Sequence, residues 1–272
     1  MANKWTGERL ETFVFNETTV EHLHRYAIAM EFSRGKNVLD IACGEGYGSN
    51  LLASVASHVT GVDINDLTIE NAKNKYKKDN LRFLKGDIYS IPLMNNSIDI
   101  IITYETIEHV EDHHLLMQEI KRVLKKDGIV LLSTPNKKEY SDNRKYQNPF
   151  HKKELYKKEF EDLLTKYFKF VKIAGQQILL GSYIFTNDSN IPNYYTGSFK
   201  NIQKVEMPEP LYYFAILSDI QIPYINSSLF IGNSIFEKGL LEREVLVKKT
   251  MSYKLGHYIL YPLKYIQKAF GR

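Results

Sequence analysis

The stretch Glu105-Thr-Ile-Glu108-His109 puts two carboxylates and an imidazole within five residues, and a second imidazole follows at His151 in Asn148-Pro-Phe-His151. If a helix or helical turn starts at 105, Glu105, Glu108 and His109 stand at i, i+3 and i+4 and share a face. Two carboxylates and an imidazole facing one point can ligate a divalent cation, with His151 as a fourth candidate. Such a cation lowers the pKa of a coordinated hydroxyl, which is otherwise a poor nucleophile at neutral pH. Two other readings stay open. His109 can act as a general base without metal, or the glutamates merely exploit a helix dipole worth about 0.3–1 kcal/mol. His113 and His114 read as solvated residues of a polar helix start.

A second group of residues points to a nucleoside ligand. Gly44, Gly46 and Gly48 allow a sharp turn and close backbone approach between a strand and a helix start. Asp40, at the strand end, can anchor that loop or meet an ammonium group. Asp63 follows Gly44 by 19 residues, where an acidic side chain accepts from ribose hydroxyls in doubly wound folds. Asp87, in Lys85-Gly-Asp87-Ile88, can accept from an adenine amino group. A dinucleotide is disfavoured, because Gly44-Glu45-Gly46 is not followed by x-x-Gly and Glu45 would repel a pyrophosphate.

These residues need strand ends to hold them. Apolar runs at 37–41, 58–62, 81–84, 98–103 and 129–134 alternate with helical periodicity at 67–76 and 115–124. That alternation predicts an α/β, Rossmann-like doubly wound sheet with helices on both faces. Lys125-Lys-Asp-Gly128 reads as a helix end turning into the fifth strand. A helix over 153–166 and strands over 168–173 and 212–217 complete the expectation. The domain plan is a helical segment or lid at 1–35, the α/β domain at 36–220, and a basic amphipathic extension at 221–272. An aperiodic insertion at 175–210 lies near the acceptor side or is a surface excursion. Residues 245–272 hold six Lys or Arg and no Asp or Glu, which suits an interfacial helix, a docking surface, or a helix packed on the domain or on a second copy.

A hydrophobic content of 43% with 25% charged residues implies a globular core, and a net charge of +4 does not argue for nucleic acid. The single cysteine, Cys43, excludes an internal disulfide and suits a reducing compartment. The first residues lack a signal-peptide core, and no apolar run nears the roughly 18 residues of a membrane span. A cytoplasmic protein is expected, with peripheral contact at the inner face of the membrane if the tail provides it.

The loop resembles the first motif of class I S-adenosylmethionine-dependent methyltransferases, Asp-x-Gly-x-Gly-x-Gly, with Asp40, Gly44 and Gly46 matching and Ala42 replacing a glycine. Ala for Gly is expected to ask only for slightly more room. The resemblance implies a seven-stranded sheet whose last strand is antiparallel. It also implies a cofactor-contacting set of Asp40, Ala42, Gly44, Gly46, Asp63, Ile64, Asp87, Ile88 and Tyr104. Asp63 would hold the ribose, Asp87 and Ile88 the adenine, and Asp40 with the loop the methionine part. The Glu-x-x-Glu-His run with a later histidine is similar to the metal site of small-RNA 2′-O-methyltransferases, and ubiquinone-pathway O-methyltransferases carry a similar run. This implies Glu105, Glu108, His109 and His151 as ligands of a divalent cation (Mg or Mn), with His109 and Glu108 as the catalytic residues.

Polar and aromatic residues at Ser133–Lys137, Glu139–Ser141 and Asn148–His151 suit a hydroxyl-rich acceptor. Trp5-Thr-Gly-Glu-Arg9, Glu21-His-Leu-His-Arg-Tyr26, Asn-Pro-Phe-His151 and Gly175-Gln176 resemble methyltransferases of bacterial surface-polysaccharide assembly. The tail motifs Ser252–Gly256 and Tyr261–Lys264 are similar to chain ends in those glycosyltransferase-rich systems. O-methylation of a sugar hydroxyl in a nucleotide sugar or surface glycan is therefore expected. A quinone- or catechol-type metabolite and an RNA 2′-hydroxyl are the other acceptors. A non-catalytic cofactor-binding partner of a glycosyltransferase is the alternative from another class. Partner contacts through the tail and a homodimer are also expected.

Overall fold

The computed structural model describes residues 9–182 and 192–259. The motif residues Trp5–Glu8, part of the 175–210 insertion and the tail residues 260–272 lie outside them. Helix α1 (Glu17–Ser33) starts where the Asn16 side chain accepts from the Thr19 amide at 3.2 Å. Then come β1 (Asn37–Ile41), α2 (Tyr47–Leu52), β2 (His58–Asp63), α3 (Asp66–Lys75), β3 (Leu81–Lys85), β4 (Ile98–Tyr104), α4 (His113–Val123) and β5 (Leu124–Pro135). Helix α5 (Lys157–Tyr167) and β6 (Phe170–Gln176) follow, then a separate hairpin of β7 (Tyr194–Ser198) and β8 (Asn201–Val205). The chain goes on through β9 (Tyr212–Ser218) to α6 (Asn233–Lys249) and a further helical stretch at 251–259.

The main sheet has seven strands in the order β3-β2-β1-β4-β5-β9-β6. All neighbours from β3 to β5 pair in parallel, whereas β9 runs antiparallel between β5 and β6. The expected antiparallel last strand is therefore present. Period-two alternation splits the strand residues between two apolar layers. Leu39, Ile101, Val130 and Leu132 face Leu116, Ile120, Phe160 and Leu164 of α4 and α5. Val38, Ile100, Ile102 and Leu131 face Tyr26, Ala29 and Leu52 of α1 and α2.

Three boundaries differ from the sequence expectation. Lys125–Gly128 is not a turn ahead of the strand but an irregularity inside β5: Ile98 pairs with Leu124 and Ile100 already with Ile129. Helix α5 starts at Lys157, not 153, because the amides of Lys152 and Lys153 are taken by the Glu108 carbonyl at 2.8 and 3.1 Å. Residues 194–205, which show no periodicity, form an exposed two-stranded hairpin with little buried surface to impose alternation. No helix among the described residues is long and apolar enough to cross a membrane.

Helix α1 carries buried charge into this frame, since Glu21 is 4% and Arg25 1% exposed. Burial, opposed in part by Arg25, pushes the Glu21 carboxyl from 4.5 up to about 7. The folded chain therefore holds a proton that the unfolded chain releases. The stability this adds is complete below about pH 4.5 and lost as pH rises through about 7. Glu21→Gln should flatten the fall in unfolding free energy between about pH 5 and 7 by up to ~1.4 kcal/mol per pH unit. Denaturant titrations across that range measure the slope; an unchanged slope would mean that Glu21 is already ionised in the fold.

Candidate active site

The strand order reverses between β1 and β4, and open α/β sheets bind ligands at the carboxyl ends of strands beside such a switch point. A cavity lies there. It is walled on one side by Ala42, Cys43, Gly44 and Glu45 after β1, and on the other by Tyr104, Glu105, Glu108 and His109 after β4. Arg9, His22 and Tyr26 close it from the N-terminal segment, and Tyr140, Asn148, Phe150, His151 and Tyr212 from the opposite side.

The loop after β1 turns through left-handed backbone at Ala42 (φ 55°), Gly44 (φ 53°) and Gly46 (φ 88°). Ala42 is thus constrained by backbone conformation rather than by room, correcting the sequence expectation: a Cβ in this region is strained where glycine is not. Asp40 is 1% exposed and does not line the cavity. It accepts from Ser49 Oγ at 2.6 Å and from Tyr26 Oη at 3.2 Å, and burial raises its carboxyl to about 7. These bonds tie the end of β1 to α2 and α1. Asp63 accepts the Gly44 amide at 3.1 Å and the Asn65 amide at 2.9 Å. Its Oδ1 also lies 3.5 Å from Arg9 Nη2, so the N-terminal strap reaches over the carboxylate expected to meet a ribose.

Glu45 holds that strap down, accepting from the Thr12 amide and hydroxyl at 3.2 and 2.9 Å and pairing with Lys75. Ile64 is 62% exposed, and Asp87 lies on the open surface, its carboxylate accepting the Tyr89 amide at 2.9 Å. These two and Ile88 lie outside the walls of the cavity. The backbone turn at the switch point, with an acidic residue closing β2, fits the nucleoside cofactor expected.

After β4 the chain does not enter an α-helix. Glu105 itself adopts φ 50°, and only Ile107–His109 form a single 3-10 turn. The i, i+3, i+4 face therefore does not form, and Glu105 is not brought into the expected four-ligand set. Its Oε1 accepts from Arg25 Nη1 at 2.8 Å and from Ser133 Oγ at 2.6 Å. Glu108, His109 and His151 do converge, with one ligand atom from each within 4.8 Å of the others. The histidine ring centroids are 5.0 Å apart.

The surroundings prepare this trio. His151 Nδ1 lies 2.6 Å from Glu154 Oε1 while Asn148 Nδ2 sits 3.0 Å from its Nε2. A protonated Nδ1 donating to Glu154 leaves Nε2 as the acceptor. His109 Nδ1 similarly meets the Phe150 carbonyl at 3.0 Å. Glu108 is 1% exposed; Thr134 Oγ1 donates to its Oε2 at 3.2 Å, and its Oε1 is buried without a partner. Burial, then the Glu105 charge, push its carboxyl well above the ordinary range. An orphaned buried carboxylate oxygen beside two imidazoles fits a cation or a shared proton.

Sequence reasoning missed Glu154 and Tyr212. Glu154 shows only an i, i+3 spacing to His151; Tyr212 sits under the Arg25 guanidinium, 4.6 Å from its ring centre, by a tertiary contact alone. His113 is a correction too. It is buried rather than solvated, and burial lowers its pKa. Since the αL penalty at Ala42 exceeds the entropy cost of glycine, Ala42→Gly should stabilise the fold by about 0.5–1 kcal/mol. That corresponds to a melting midpoint roughly 1–4 °C higher. A lower midpoint on thermal melting would refute the strain.

A family model described as a methyltransferase domain matches residues 32–179. A probable S-adenosylmethionine-dependent methyltransferase of Mycolicibacterium smegmatis is 37% identical over 131 residues, 48% of this chain and 50% of that protein. Sterol 24-C-methyltransferase of Saccharomyces cerevisiae is 31% identical over 205 residues, covering 70% of this chain and 52% of the yeast protein. The chain spans about half the length of these curated relatives. A solved S-adenosylmethionine-dependent methyltransferase from Archaeoglobus fulgidus has the same fold, with a TM-score of 0.53 at 22% identity over 74% of this chain and 93% of that one. With a glycine loop at the switch point of a 3-2-1-4-5 sheet and more than half its length matched by the domain model, the chain belongs to the class I S-adenosylmethionine-dependent methyltransferase family.

Proposed function

We propose that this chain is an O-methyltransferase whose acceptor is a sugar hydroxyl of a nucleotide sugar or cell-surface glycan. The observation that carries the reading is the convergence of Glu108, His109 and His151 across the cavity from the glycine loop. S-adenosylmethionine supplies an electrophilic methyl group. An acceptor oxygen forms the new C–O bond as the C–S bond breaks, the sulfur leaves as the neutral thioether, and the hydroxyl proton passes to a base.

The chain's residues divide this work. The Ala42–Glu45 backbone holds the donor's amino-acid end, Asp63 its ribose once Arg9 moves aside, and Ile64, Asp87 and Ile88 its adenine. Tyr104 backs the donor, its own hydroxyl donating to the Arg25 carbonyl at 3.1 Å. Glu108, His109 and His151 would hold a divalent cation (Mg or Mn), which supplies a lower pKa to a coordinated hydroxyl. Without a cation, His109 Nε2 is the proton acceptor and Glu108 its partner. Glu105, kept on Arg25 and Ser133, is left to accept from an acceptor hydroxyl at the cavity wall.

Domain roles follow the same plan: 1–35 as helical lid, 36–220 as methyltransferase domain with the 175–210 insertion beside the acceptor, and 221–272 as an extension for partner contact. A sterol-type acceptor, as the yeast relative's name states for that protein, would favour an apolar chamber. Glu105, Glu108, His109, His151 and Asn148 on this cavity wall favour a hydroxyl-rich molecule over such a lipid or a quinone.

The test is methyl transfer from labelled cofactor to sugar nucleotides and lipid-linked glycans, with and without chelator. Glu108→Gln should lower transfer at least ~100-fold and leave cofactor affinity, read by calorimetry, within about twofold. Equal losses of affinity and rate would make Glu108 structural. Activity that survives exhaustive chelation would remove the cation and leave His109 as base. Cofactor binding with no transfer to any hydroxylated acceptor would favour a non-catalytic partner of a glycosyltransferase.

A further inference from the structure

Positive charge is segregated along this chain. Residues 245–272 hold six of its 36 lysines and arginines and none of its 32 acidic residues, so the remaining chain is net negative. The described part of this segment is helical on either side of Thr250, which is extended (ψ 147°) and whose Oγ1 accepts the Tyr253 amide at 3.3 Å. Helix α6 packs near its start, where Gly239 meets the Phe15 carbonyl and Lys238 lies 3.8 Å from the Phe15 ring. Beyond that it leaves the domain, and Leu246 and Val247 are exposed.

In the helical stretch 251–259, Met251, Leu255, Tyr258 and Ile259 stand at i, i+4, i+7 and i+8, which is one helix face. They are 70, 57, 84 and 66% exposed. Lys254 flanks that face, and Lys248 and Lys249 close the preceding helix. A contiguous apolar face bordered by lysines, on a segment without a single carboxylate, is the arrangement of a helix that lies in a lipid interface.

We propose that residues 245–259 form a membrane-binding arm whose partner is an anionic bilayer surface. The apolar face would enter the headgroup boundary and the lysines would meet lipid phosphates. A second copy of the chain fits the same segment less well, because its own arm brings further lysines and no acidic group. The net-negative residues 1–244 add no attraction to such a surface, so binding must reside in the segment that follows them. This inference goes beyond the acceptor reading and does not depend on it.

The full chain should co-sediment with vesicles containing about 30% phosphatidylglycerol at least ~10-fold more strongly than with pure phosphatidylcholine vesicles. Binding should fall steeply at about 0.5 M salt. The double variant Leu255→Glu and Ile259→Glu, altered only at exposed positions, should lose at least ~10-fold in vesicle affinity and keep its cofactor affinity. Equal binding to both vesicle types, or none to either, overturns the proposal. So does a dimer in sedimentation velocity that the double variant converts to monomer, since that would assign the face to a second copy.

Discussion

One guanidinium ties the site to the fold. Arg25 descends from α1 and is 1% exposed. Its Nε donates to Gln176 of β6 at 2.6 Å, and its Nη1 to Glu105 after β4 and Ser133 of β5 at 2.8 and 3.1 Å. Its plane covers the Tyr212 ring at the start of β9. A buried ion pair adds little net stability over an apolar replacement, yet removing one partner strands the other at a cost of about 3–5 kcal/mol. Arg25 therefore acts mainly as a constraint of position. The N-terminal helix, the ends of four strands and the Glu105 carboxylate can meet only in one arrangement.

Backbone strain marks the same place. Ala42 ends the β1 side of the cavity in left-handed conformation, and Glu105 ends the β4 side likewise. Non-glycine residues held there cost of order 1–3 kcal/mol each, and surrounding contacts must impose them. Both strained residues sit where the strand order reverses, so the cavity is bounded on each side by a left-handed turn. For Glu105 the imposing contacts are the Arg25 and Ser133 bonds. For Ala42 they are the bonds of the next two amides, Cys43 to the Val62 carbonyl and Gly44 to the Asp63 carboxylate.

Electrostatics then separates the carboxylates by role. Asp40 and Glu21 are driven toward protonation by burial. Asp63 is surrounded by amide donors and Arg9, and Glu105 by an arginine and a hydroxyl. Glu108 alone is buried next to another carboxylate with an oxygen left unsatisfied, beside two imidazoles. Five acidic residues in and around the site thus meet four kinds of environment, set apart by burial and by their charged and hydrogen-bonding neighbours.

The chain's alternation of apolar runs was enough to determine the parallel half of the sheet, because β1, β2, β4 and β5 are buried on both faces and their patterning is local. The glycine loop and Asp63 were legible for the same reason: their spacing follows from a strand, a turn and a helix start. Chain spacing could not decide which carboxylates share a point in space. Glu105 and Glu108 look equivalent in a helical count, and only the Arg25 contact from 80 residues away, with the left-handed turn it stabilises, sends one to an arginine and the other to the histidines. The hairpin at 194–205 and the strap of Arg9 over Asp63 were hidden likewise. Each depends on a partner distant in the chain or on a surface with no core to impress a period upon it. Local periodicity determined the scaffold; tertiary contacts between charged groups decided the chemistry at its rim.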